Sequence, residues 1–577
     1  MLGSLLYPAT FLCFALQTYA RTVSYDWCLN WLSVNPDGEL PRAAIGINGE
    51  WPNPAIEAEV GDRIVINLDN QLGNETASLH FHGIYQEGSN GMDGSPTATQ
   101  CEIPPGVSFT YDFVVKQPGS YWYHSHSSGQ MSDSLRGPLI VRDPESPYAG
   151  NYSEELIVTI SDWYHDEAPS LIPYYLSPVQ NPSGAEPIPH SSLINEAQDI
   201  KLAVEPDTDY LIRIISMAAL AQAYVHFDQH EMTIIAIDGI YVQPRTVSTL
   251  HVVTAQRYDV LLRTKSDKDT NYAFFSNLDT AKLGKTPGYL HPNATGYLVY
   301  DASKPVPSEA PTVDSYDIID DITLIPYDGQ PLLSGPPDAS IVLNVDFFQR
   351  DGQNRAGFNN ITYIGQKVPS LFTALTTGDD AENPLVYGVN ANARVVKQGD
   401  LVEVVINNFD NTGHPMHLHG HAPQVVARNP GVFLPSSGAH PNQQNSVGRN
   451  GALSAKGYTG DTGTMPSVPM RRDTWGMAPG GYTVIRFRAD NPGVWLLHCH
   501  MEWHVAAGLS MTIVEAPLQL QQSQRINPAM EEICKSQGLV TAGNAAGNTE
   551  DHFDLTGAHT IVNPNPGGAL YHKGNNN

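Results

Sequence analysis

The sequence predicts an all-β protein built from consecutive Greek-key β-sandwich domains, on three observations. Glycine and proline are abundant, with 49 and 44 of 577 residues, and long helical periodicities are scarce, which is typical of turn-rich β structure. The apolar segments are short, rich in β-branched residues and often alternate with polar ones. A pattern of motifs also recurs near both ends of the chain, which indicates a repeated structural unit.

The predicted strands follow one another along the whole chain. They include IVINL, FTYDFVV, ELIVTI, YLIRII, YDVLLR, LVEVVIN and YTVIRFR, and Gly, Pro, Asn or Asp bound them. Two polar, proline-containing stretches, RDPESPYAGNYSEE (142–155) and DASKPVPSEAPTV (301–313), separate groups of strands. We therefore predict domains at 21–143, 144–303 and 304–577, preceded by a signal peptide at 1–20.

The first twenty residues, MLGSLLYPATFLCFALQTYA, carry no charged side chain and end in small residues. This pattern predicts a secretory signal cut after Ala20. A membrane anchor is the alternative, but Pro8 interrupts the apolar stretch, which is short for a span. The residues after Pro517 are polar, so we expect no C-terminal anchor and an extracellular or cell-wall location. Four glycosylation sequons agree with that route, at Asn74, Asn151, Asn293 and Asn360.

The charge balance limits the classes of partner. Acidic residues outnumber basic ones by 60 to 31, which gives a formal charge of −29. Such a surface repels nucleic acid and anionic membranes and keeps a secreted protein soluble. We expect a monomer that binds no nucleic acid.

Histidines two residues apart mark the repeated unit. PGSYWYHSH (118–126) matches PGVWLLHCH (492–500), and GDRIVIN (61–67) and GDLVEVVIN (399–407) each precede a further pair. The pairs are His80/His82, His124/His126, His417/His419 and His498/His500. The middle of the chain carries a fainter copy with His226 and His230, which we interpret as remnants of the repeat or as a structural pair.

Strand geometry makes these pairs a predicted metal site. Side chains alternate faces along a strand, so His-x-His directs two imidazoles the same way. One such pair would more often be packing, but four pairs in two related segments indicate metal binding. Zinc is the rival metal, yet structural zinc favours closed, cysteine-rich sets of four ligands. Here one cysteine stands among ten candidate ligand histidines, the eight of the pairs with His414 and His504, which favours copper.

Cys499 faces the opposite side of its strand from the histidines on either side of it, so it must serve a different metal ion. With His414 and His504 it forms the two-imidazole, one-thiolate set of a blue-copper electron-transfer site. Leu509 is the candidate for the axial position, and a leucine that donates nothing should raise the reduction potential. The eight paired imidazoles suit three coppers, so an electron accepted at Cys499 could pass along the backbone to a site where dioxygen is reduced.

The four motifs together resemble those of the multicopper oxidases, and the likeness covers nearly all of the mature chain. They are HFHG (80–83), WYHSH (122–126), HPMHLHGH (414–421) and HCHMEWH (498–504). The resemblance implies three cupredoxin domains, four copper ions, a trinuclear cluster between the first and third domains, and reduction of dioxygen to water. It also implies the ligands: His414, Cys499 and His504 for type 1 copper, His80 and His417 for type 2, and His82, His124 and His500 with His126, His419 and His498 for the type 3 pair.

Two acids near the motifs match family carboxylates that move protons to the cluster. They are Asp93, in NGMDGSP, and Glu502, in the fourth motif, and oxygen reduction consumes protons. Alternatively, Glu502 only holds a ligand histidine and Asp93 forms a turn. Of the cysteines left after signal removal and outside the motif, spacing cannot choose a disulfide pair. The resemblance implies Cys101 with Cys534, which leaves Cys28 over.

Three stretches bear on the identity of the substrate, because they are similar to stretches of fungal iron-transport and pigment-type oxidases. They are GAEPIP (184–189), MRRDTW (470–475) and ADNPGVW (489–495). By that resemblance, Glu186 and Asp410 occupy positions whose acids bind Fe(II) beside the type 1 site. Solvated loop acids are the alternative. Arg355 stands where the iron oxidases have tyrosine, and its positive charge should disfavour Fe(II).

Together with the absent anchor, Arg355 leads us to expect a laccase-like enzyme that oxidises phenols with dioxygen. Glu186 could accept the phenolic proton, and radical coupling would yield pigment or phenolic polyketide. A ferroxidase that oxidises Fe(II) is the alternative, and a non-catalytic copper or electron carrier is a remote one.

Overall fold

The computed structural model describes residues 20–283, 286–308, 311–313, 315–410, 412–428, 458 and 465–561. The described chain is dominated by strands arranged in six sheets, which confirms the predicted all-β class with three cupredoxin-like domains. The predicted signal peptide lies outside the described residues except for Ala20. Among the helices of the described residues, none is both long and apolar enough to cross a membrane.

The first domain consists of two four-stranded sheets. Its strands are β1 (Thr22–Val34), β2 (Arg42–Ile47), β3 (Ile56–Glu59), β4 (Arg63–Asn70), β5 (His80–His82), β6 (Ser108–Val114), β7 (Gly119–His124) and β8 (Arg136–Arg142). The sheet orders are β2-β1-β4-β6 and β3-β8-β7-β5. Burial alternates along β4 and β6, because one face of each sheet packs on the core between them.

The second domain pairs a six-stranded with a five-stranded sheet, ordered β10-β9-β12-β17-β14-β15 and β11-β19-β18-β13-β16. Its strands are β9 (Glu154–Trp163), β10 (Ser191–Ile194), β11 (Ile200–Ala203), β12 (Asp209–Ser216), β13 (Ala223–Phe227), β14 (Met232–Ile237), β15 (Ile240–Val247), β16 (Thr249–Val252), β17 (Arg257–Arg263), β18 (Tyr272–Leu278) and β19 (Asn293–Val299).

The third domain has two five-stranded sheets, ordered β21-β20-β23-β27-β25 and β22-β29-β28-β24-β26. Its strands are β20 (Ala339–Arg350), β21 (Gln353–Phe358), β22 (Arg394–Val396), β23 (Leu401–Asn408), β24 (His414–Leu418), β25 (Gln424–Arg428), β26 (Thr474–Met477), β27 (Tyr482–Arg488), β28 (Gly493–Cys499) and β29 (Ser510–Glu515).

One topology recurs in all three domains. The parallel pairs β1 with β4, β9 with β12 and β20 with β23 are equivalent. So are the pairs β3 with β8, β11 with β19 and β22 with β29. The motif repeat in the sequence is therefore a repeat of whole domains.

Short helices connect or follow the strands. They are α1 (Ala168–Leu176), α2 (Ser370–Thr376), α3 (Glu502–Ala507), α4 (Pro517–Ser523) and α5 (Pro528–Ser536), with 3₁₀ turns at Asn90–Met92, Thr280–Lys282, Asp321–Thr323, Gly378–Glu382, Pro384–Tyr387 and Val389–Ala391. A disulfide joins Cys101 of the first domain to Cys534 of α5, which confirms the implied pair. Cys28 is a free cysteine.

Candidate metal centre

Strand pairing brings histidines together within each outer domain. In the first domain, β5 is antiparallel to β7 and His80 lies opposite His124. In the third, β24 is antiparallel to β28 and His417 lies opposite His498. Side chains of opposite residues project from the same face of a sheet, so each pairing concentrates imidazoles on one face.

The two outer domains meet at these faces. The ring of His80 stacks on that of His419 with centroids 4.0 Å apart, and the ring of His82 stacks on that of His417 at 3.8 Å. Nδ1 of His82 also lies 3.1 Å from Nε2 of His500. One histidine cluster results, buried except for the partly exposed His126; it comprises His80, His82, His124, His126, His417, His419, His498 and His500.

The nitrogen atoms of the histidine cluster fit metal ions. The buried Nε2 atoms of His80, His124 and His417 have no hydrogen-bond partner among the described residues, and a buried polar atom left so costs free energy. Nε2 of His419 and Nε2 of His498 lie 3.0 Å apart, so two lone pairs meet unless a proton or a cation lies between them. Ligand atoms of several triplets lie within 4.8 Å of one another, including His80/His82/His124, His80/His417/His419 and His126/His419/His498.

Burial also keeps seven of these imidazoles neutral, which is the form that binds metal. Desolvation is the largest cause in each case, and neighbouring imidazoles add to it. It lowers the pKa of His82, His124, His126, His417, His419, His498 and His500.

A second group of ligand atoms surrounds Cys499. Its Sγ lies 3.3 Å from Nδ1 of His504 and 3.7 Å from Nδ1 of His414, and the three residues are fully buried. Burial alone would raise the pKa of the thiol, but the two imidazoles outweigh it and lower that pKa to about 6. The thiolate, which is the form that binds metals, is therefore available at neutral pH.

The end of α3 shapes this second group. Gly508 ends the helix with φ +97°, and an added Cβ would lie 2.1 Å from Oγ1 of Thr362, so glycine is required there. The chain then turns back, and the carbonyl of the buried Leu509 accepts the backbone N–H of Cys499 at 3.1 Å. Leu509 is thus tied to Cys499 through the backbone, and its axial role stays a prediction.

Asp93 contacts two members of the histidine cluster. Its Oδ2 lies 3.0 Å from Nδ1 of His419, and its backbone carbonyl lies 2.7 Å from Nδ1 of His80. Burial raises the pKa of the carboxyl, but the two histidines outweigh it and hold that pKa well below its ordinary value. Gly94 permits the close approach, since an added Cβ would lie 1.7 Å from the carbonyl oxygen of Leu79.

Glu502, the other predicted acid, lies in the fourth motif and is the first residue of α3. Burial and the charge of Asp133 raise the pKa of its carboxyl to about 8, and a hydrogen bond from the backbone N–H of Gly129 opposes them. A carboxyl of this kind can hold a proton at neutral pH.

The sequence analysis missed Asp473, which lies in the quoted stretch MRRDTW. Its Oδ1 is 3.2 Å from Nε2 of His82, and its backbone carbonyl is 3.0 Å from Nδ1 of His417. Arg257 of the second domain donates to both carboxylate oxygens, with 2.8 Å from Nη1 to Oδ1. The side chains of Arg257 and Asp473 are 1% and 2% exposed, so the second domain holds a carboxylate on the histidine cluster.

The two acids considered for the substrate lie on the outer nitrogens of the second group. Oε1 of Glu186 is 3.1 Å from Nε2 of His504, and Oδ2 of Asp410 is 3.3 Å from Nε2 of His414. The Nδ1 atoms of the same rings face Cys499. Each imidazole thus stands between the thiol and a carboxylate.

Arg355 lies on β21, opposite Phe348 of β20. Burial lowers the pKa of its guanidinium, and Asp351 at the turn of that hairpin is the charge that opposes this shift.

The other predicted histidines have protein partners. Nδ1 of His226 contacts the Ser248 carbonyl, and His230 contacts the Asp228 carbonyl and the Tyr300 hydroxyl, as a structural pair would. His421 lies beside the histidine cluster, with Nε2 2.9 Å from Oε2 of Glu515 and Nδ1 3.1 Å from the carbonyl of His419.

Comparison with protein families finds three matches, each to a model described as multicopper oxidase. The matched residues are 29–146, 154–303 and 363–519. Together they cover most of the chain and contain all four copper motifs.

Individual relatives are similar over nearly the whole length. The iron transport multicopper oxidase fetC of Epichloe festucae is 46% identical over 550 residues, 95% of this chain and 85% of that protein. The crystal structure of Fet3p, a multicopper oxidase that functions in iron import, matches with a TM-score of 0.84 and 40% identity, over 92% of this chain and 98% of the other. A laccase from Botrytis aclada matches with a TM-score of 0.75 and 28% identity, over 90% and 92%.

Proposed function

The chain belongs to the multicopper oxidase family, with copper as its cofactor and dioxygen as its electron acceptor, and on that premise we propose that it oxidises Fe(II) to Fe(III). Phenol oxidation, the main expectation from the sequence, is the weaker choice, because the iron-transport relatives are more similar to this chain than the laccase is. The expectation of no C-terminal anchor concerned only the end of the given sequence, so it does not bear on the substrate. The positive charge of Arg355 is opposed by its neighbour Asp351.

The observation that carries the proposal is the pair of carboxylates on the outer imidazole nitrogens. Glu186 and Asp410 lie 3.1 and 3.3 Å from Nε2 of His504 and His414. Carboxylate oxygens bind hard cations, and they bind Fe(III) more tightly than Fe(II) because the charge is greater. Iron bound there would therefore lose an electron more readily. It would do so beside the imidazoles of His414 and His504, which would hold the type 1 copper that accepts the electron.

The copper ligands support a two-site arrangement. We assign His414, Cys499 and His504 to type 1 copper, with Leu509 at the axial position. We assign the histidine cluster to type 2 and type 3 copper, as the family pattern implies: type 2 takes His80 and His417, and the type 3 ions take His82, His124 and His500, and His126, His419 and His498. When bound, the coppers supply one-electron transfer and the four-electron reduction of dioxygen to water.

The residues around the coppers have distinct roles in this proposal. Cys499 is covalently continuous with His498 and His500, so one strand end joins the two sites. Glu502 stores a proton, since the pKa of its carboxyl is raised to about 8. Asp93 orients His419 and His80. Because it lies on the histidine cluster, it also accepts protons transiently there.

We extend the proposal to the setting of the enzyme. It is a secreted, monomeric glycoprotein with domains at 21–143, 144–303 and 304–577. The four sequon asparagines lie exposed, as glycosylation requires; they are Asn74, Asn151, Asn293 and Asn360.

Kinetics with two reductants test the proposal. The copper-loaded enzyme is assayed in an oxygen electrode with Fe(II) and with a dihydroxynaphthalene-type phenol. We expect a far higher specificity constant for Fe(II), and Glu186→Ala with Asp410→Ala should reduce it by at least tenfold. Glu145→Ala, at an exposed acid, is the matched control and should change nothing. A higher specificity constant for the phenol would instead indicate a laccase-like enzyme. No oxygen uptake with either reductant would indicate a non-catalytic copper or electron carrier.

A further inference from the structure

The carboxylate of Glu186 reaches across a domain boundary. Glu186 belongs to residues 177–190, which connect α1 to β10 in the second domain without helix or strand. Its partner His504 lies on α3 of the third domain. A connection of this kind has many conformations of its own, so other groups must determine where the carboxylate stands.

We propose that Tyr164 and Asn354 are positioning residues that fix Glu186 on His504 and thereby set the affinity for the substrate cation. The inference rests on the proposed Fe(II) site. Each acts through the backbone of the Glu186 connection, to whose carbonyls it donates a hydrogen bond.

Tyr164 joins the connection to the neighbour of His504. Its hydroxyl donates to the carbonyl of Pro187 at 3.3 Å and accepts the indole N–H of Trp503 at 3.1 Å. Pro187 follows Glu186 directly, and Trp503 directly precedes His504. The Tyr164 and Trp503 rings pack edge to face with centroids 5.2 Å apart, and both are buried. A single hydroxyl therefore links the residues next to the carboxylate and the imidazole.

Asn354 holds the other end of the connection from the third domain. Its Nδ2 donates to the carbonyls of Tyr175 and Asn181, at 3.0 and 2.8 Å. Asn181 in turn closes the loop in front of Glu186: its Nδ2 donates to the carbonyl of Ala185 and its Oδ1 accepts the Ala185 N–H, at 2.9 and 3.1 Å. Asn354 and Asn181 are 7% and 4% exposed, so water does not readily replace these bonds.

The two anchors bracket the carboxylate, and strand β21 connects one of them to the copper-ligand region. Asn354 is on β21, which pairs with β20, and Phe347 of β20 packs on the rings of His414 and His504. The same part of the third domain therefore sets both the imidazoles and the acid that meets one of them. Loss of one anchor should leave the ligands in place while the acid samples other positions.

The test measures steady-state kinetics of the copper-loaded full chain with two reductants, Fe(II) and hexacyanoferrate(II). The latter is an anion that no carboxylate needs to bind. The variants are Tyr164→Phe and Asn354→Leu, with Asn354→Gln as the conservative exchange and Glu186→Gln as the benchmark. Tyr148→Phe is the matched control, since the Tyr148 hydroxyl likewise donates to a backbone carbonyl of the second domain, that of Val242.

We expect Tyr164→Phe and Asn354→Leu each to raise the KM for Fe(II) about fivefold, the effect of one net hydrogen bond. The kcat, the blue absorption and the KM for hexacyanoferrate(II) should stay within twofold of the wild type. Asn354→Gln should recover part of the loss, and Tyr148→Phe should behave as wild type. A role limited to stability would lower the unfolding midpoint without separating the two KM values.

The outcomes separate the two levels of the proposal. If Glu186→Gln raises the KM for Fe(II) while Tyr164→Phe and Asn354→Leu leave it unchanged, the positioning inference is overturned and the iron site stands. If Glu186→Gln also leaves that KM unchanged, the iron site itself is wrong and the inference falls with it. If either anchor variant does not fold, the other decides.

Discussion

Replacing Arg257 by methionine tests how strongly the second domain holds the histidine cluster. Arg257 donates to both carboxylate oxygens of Asp473 and to the carbonyl of Ser120, the latter at 3.0 Å. Methionine keeps much of the side-chain volume but removes the charge and all of these bonds. The variant would leave the Asp473 carboxylate buried against His82 without its main counter-charge.

The expected loss follows from burial and distance. Two unit charges 2.8 Å apart attract by about 6 kcal/mol at an effective dielectric constant of about 20. Desolvation offsets part of this attraction, and removal of one partner of a buried pair costs about 3–5 kcal/mol. We therefore expect Arg257→Met to lower the free energy of unfolding by about 4 kcal/mol and to lower copper occupancy of the histidine cluster.

Urea unfolding of the apo and copper-loaded proteins provides the measurement, together with copper stoichiometry. Arg63→Met is the matched control, because Arg63 pairs with Asp112 with side chains 52% and 36% exposed. An exposed pair of this kind contributes at most about 1 kcal/mol. The reasoning is refuted if the two variants lose equal stability and Arg257→Met binds the full complement of copper.

Three further predictions concern single groups. Cys499→Ser should abolish the blue colour and turnover while type 3 absorption persists, and normal turnover in that variant would contradict the proposed electron route. Burial raises the pKa of Asp321, but the charges of Arg428 and a second arginine outweigh it and lower that pKa to about 2. Its contribution of about 2 kcal/mol is present above the unfolded value near pH 4 and is lost as the pH falls toward 2. The stability deficit of Asp321→Asn in urea titrations should therefore vanish over that interval, and a deficit independent of pH would contradict this assignment. Cys101→Ala with Cys534→Ala removes a crosslink between residues 433 positions apart and should cost about 2–5 kcal/mol, measured by urea unfolding in the absence of reductant; a change below about 0.5 kcal/mol would show that the tail is held by packing alone.

The second domain shows where sequence reasoning stopped. It carries no paired-histidine motif, so the sequence suggested a part for it only through Glu186, by resemblance, and none for Arg257. The structure shows that it supplies Arg257 to Asp473, and Glu186 to the ring of His504. These partners are separated by 216 and 318 positions, and no local pattern relates residues so far apart.

Arg355 illustrates a different limit. Its position in the chain suggested a charge at the substrate entry, but a linear comparison cannot tell which way a strand side chain points. On β21 the neighbouring Asn354 turns to the Glu186 connection, and Arg355 has Asp351 as its charged neighbour. Of these two neighbours, the uncharged Asn354 is the one whose contacts bear on the position of Glu186.

By itself, the sequence determined the fold class, the domain repeat and the local sets of metal-binding side chains. The repeat follows from the recurring motifs, and the local sets follow from a period of two along a strand. That period sufficed to separate Cys499 from the histidines beside it. The resemblance implied a cluster between the first and third domains, with Asp93, Glu186 and Asp410 nearby. Only the tertiary structure decided which rings stack across that boundary and that Asp473 also meets them. Those contacts depend on how three similar sandwiches pack together, and packing is set by surfaces assembled from residues distant in the chain.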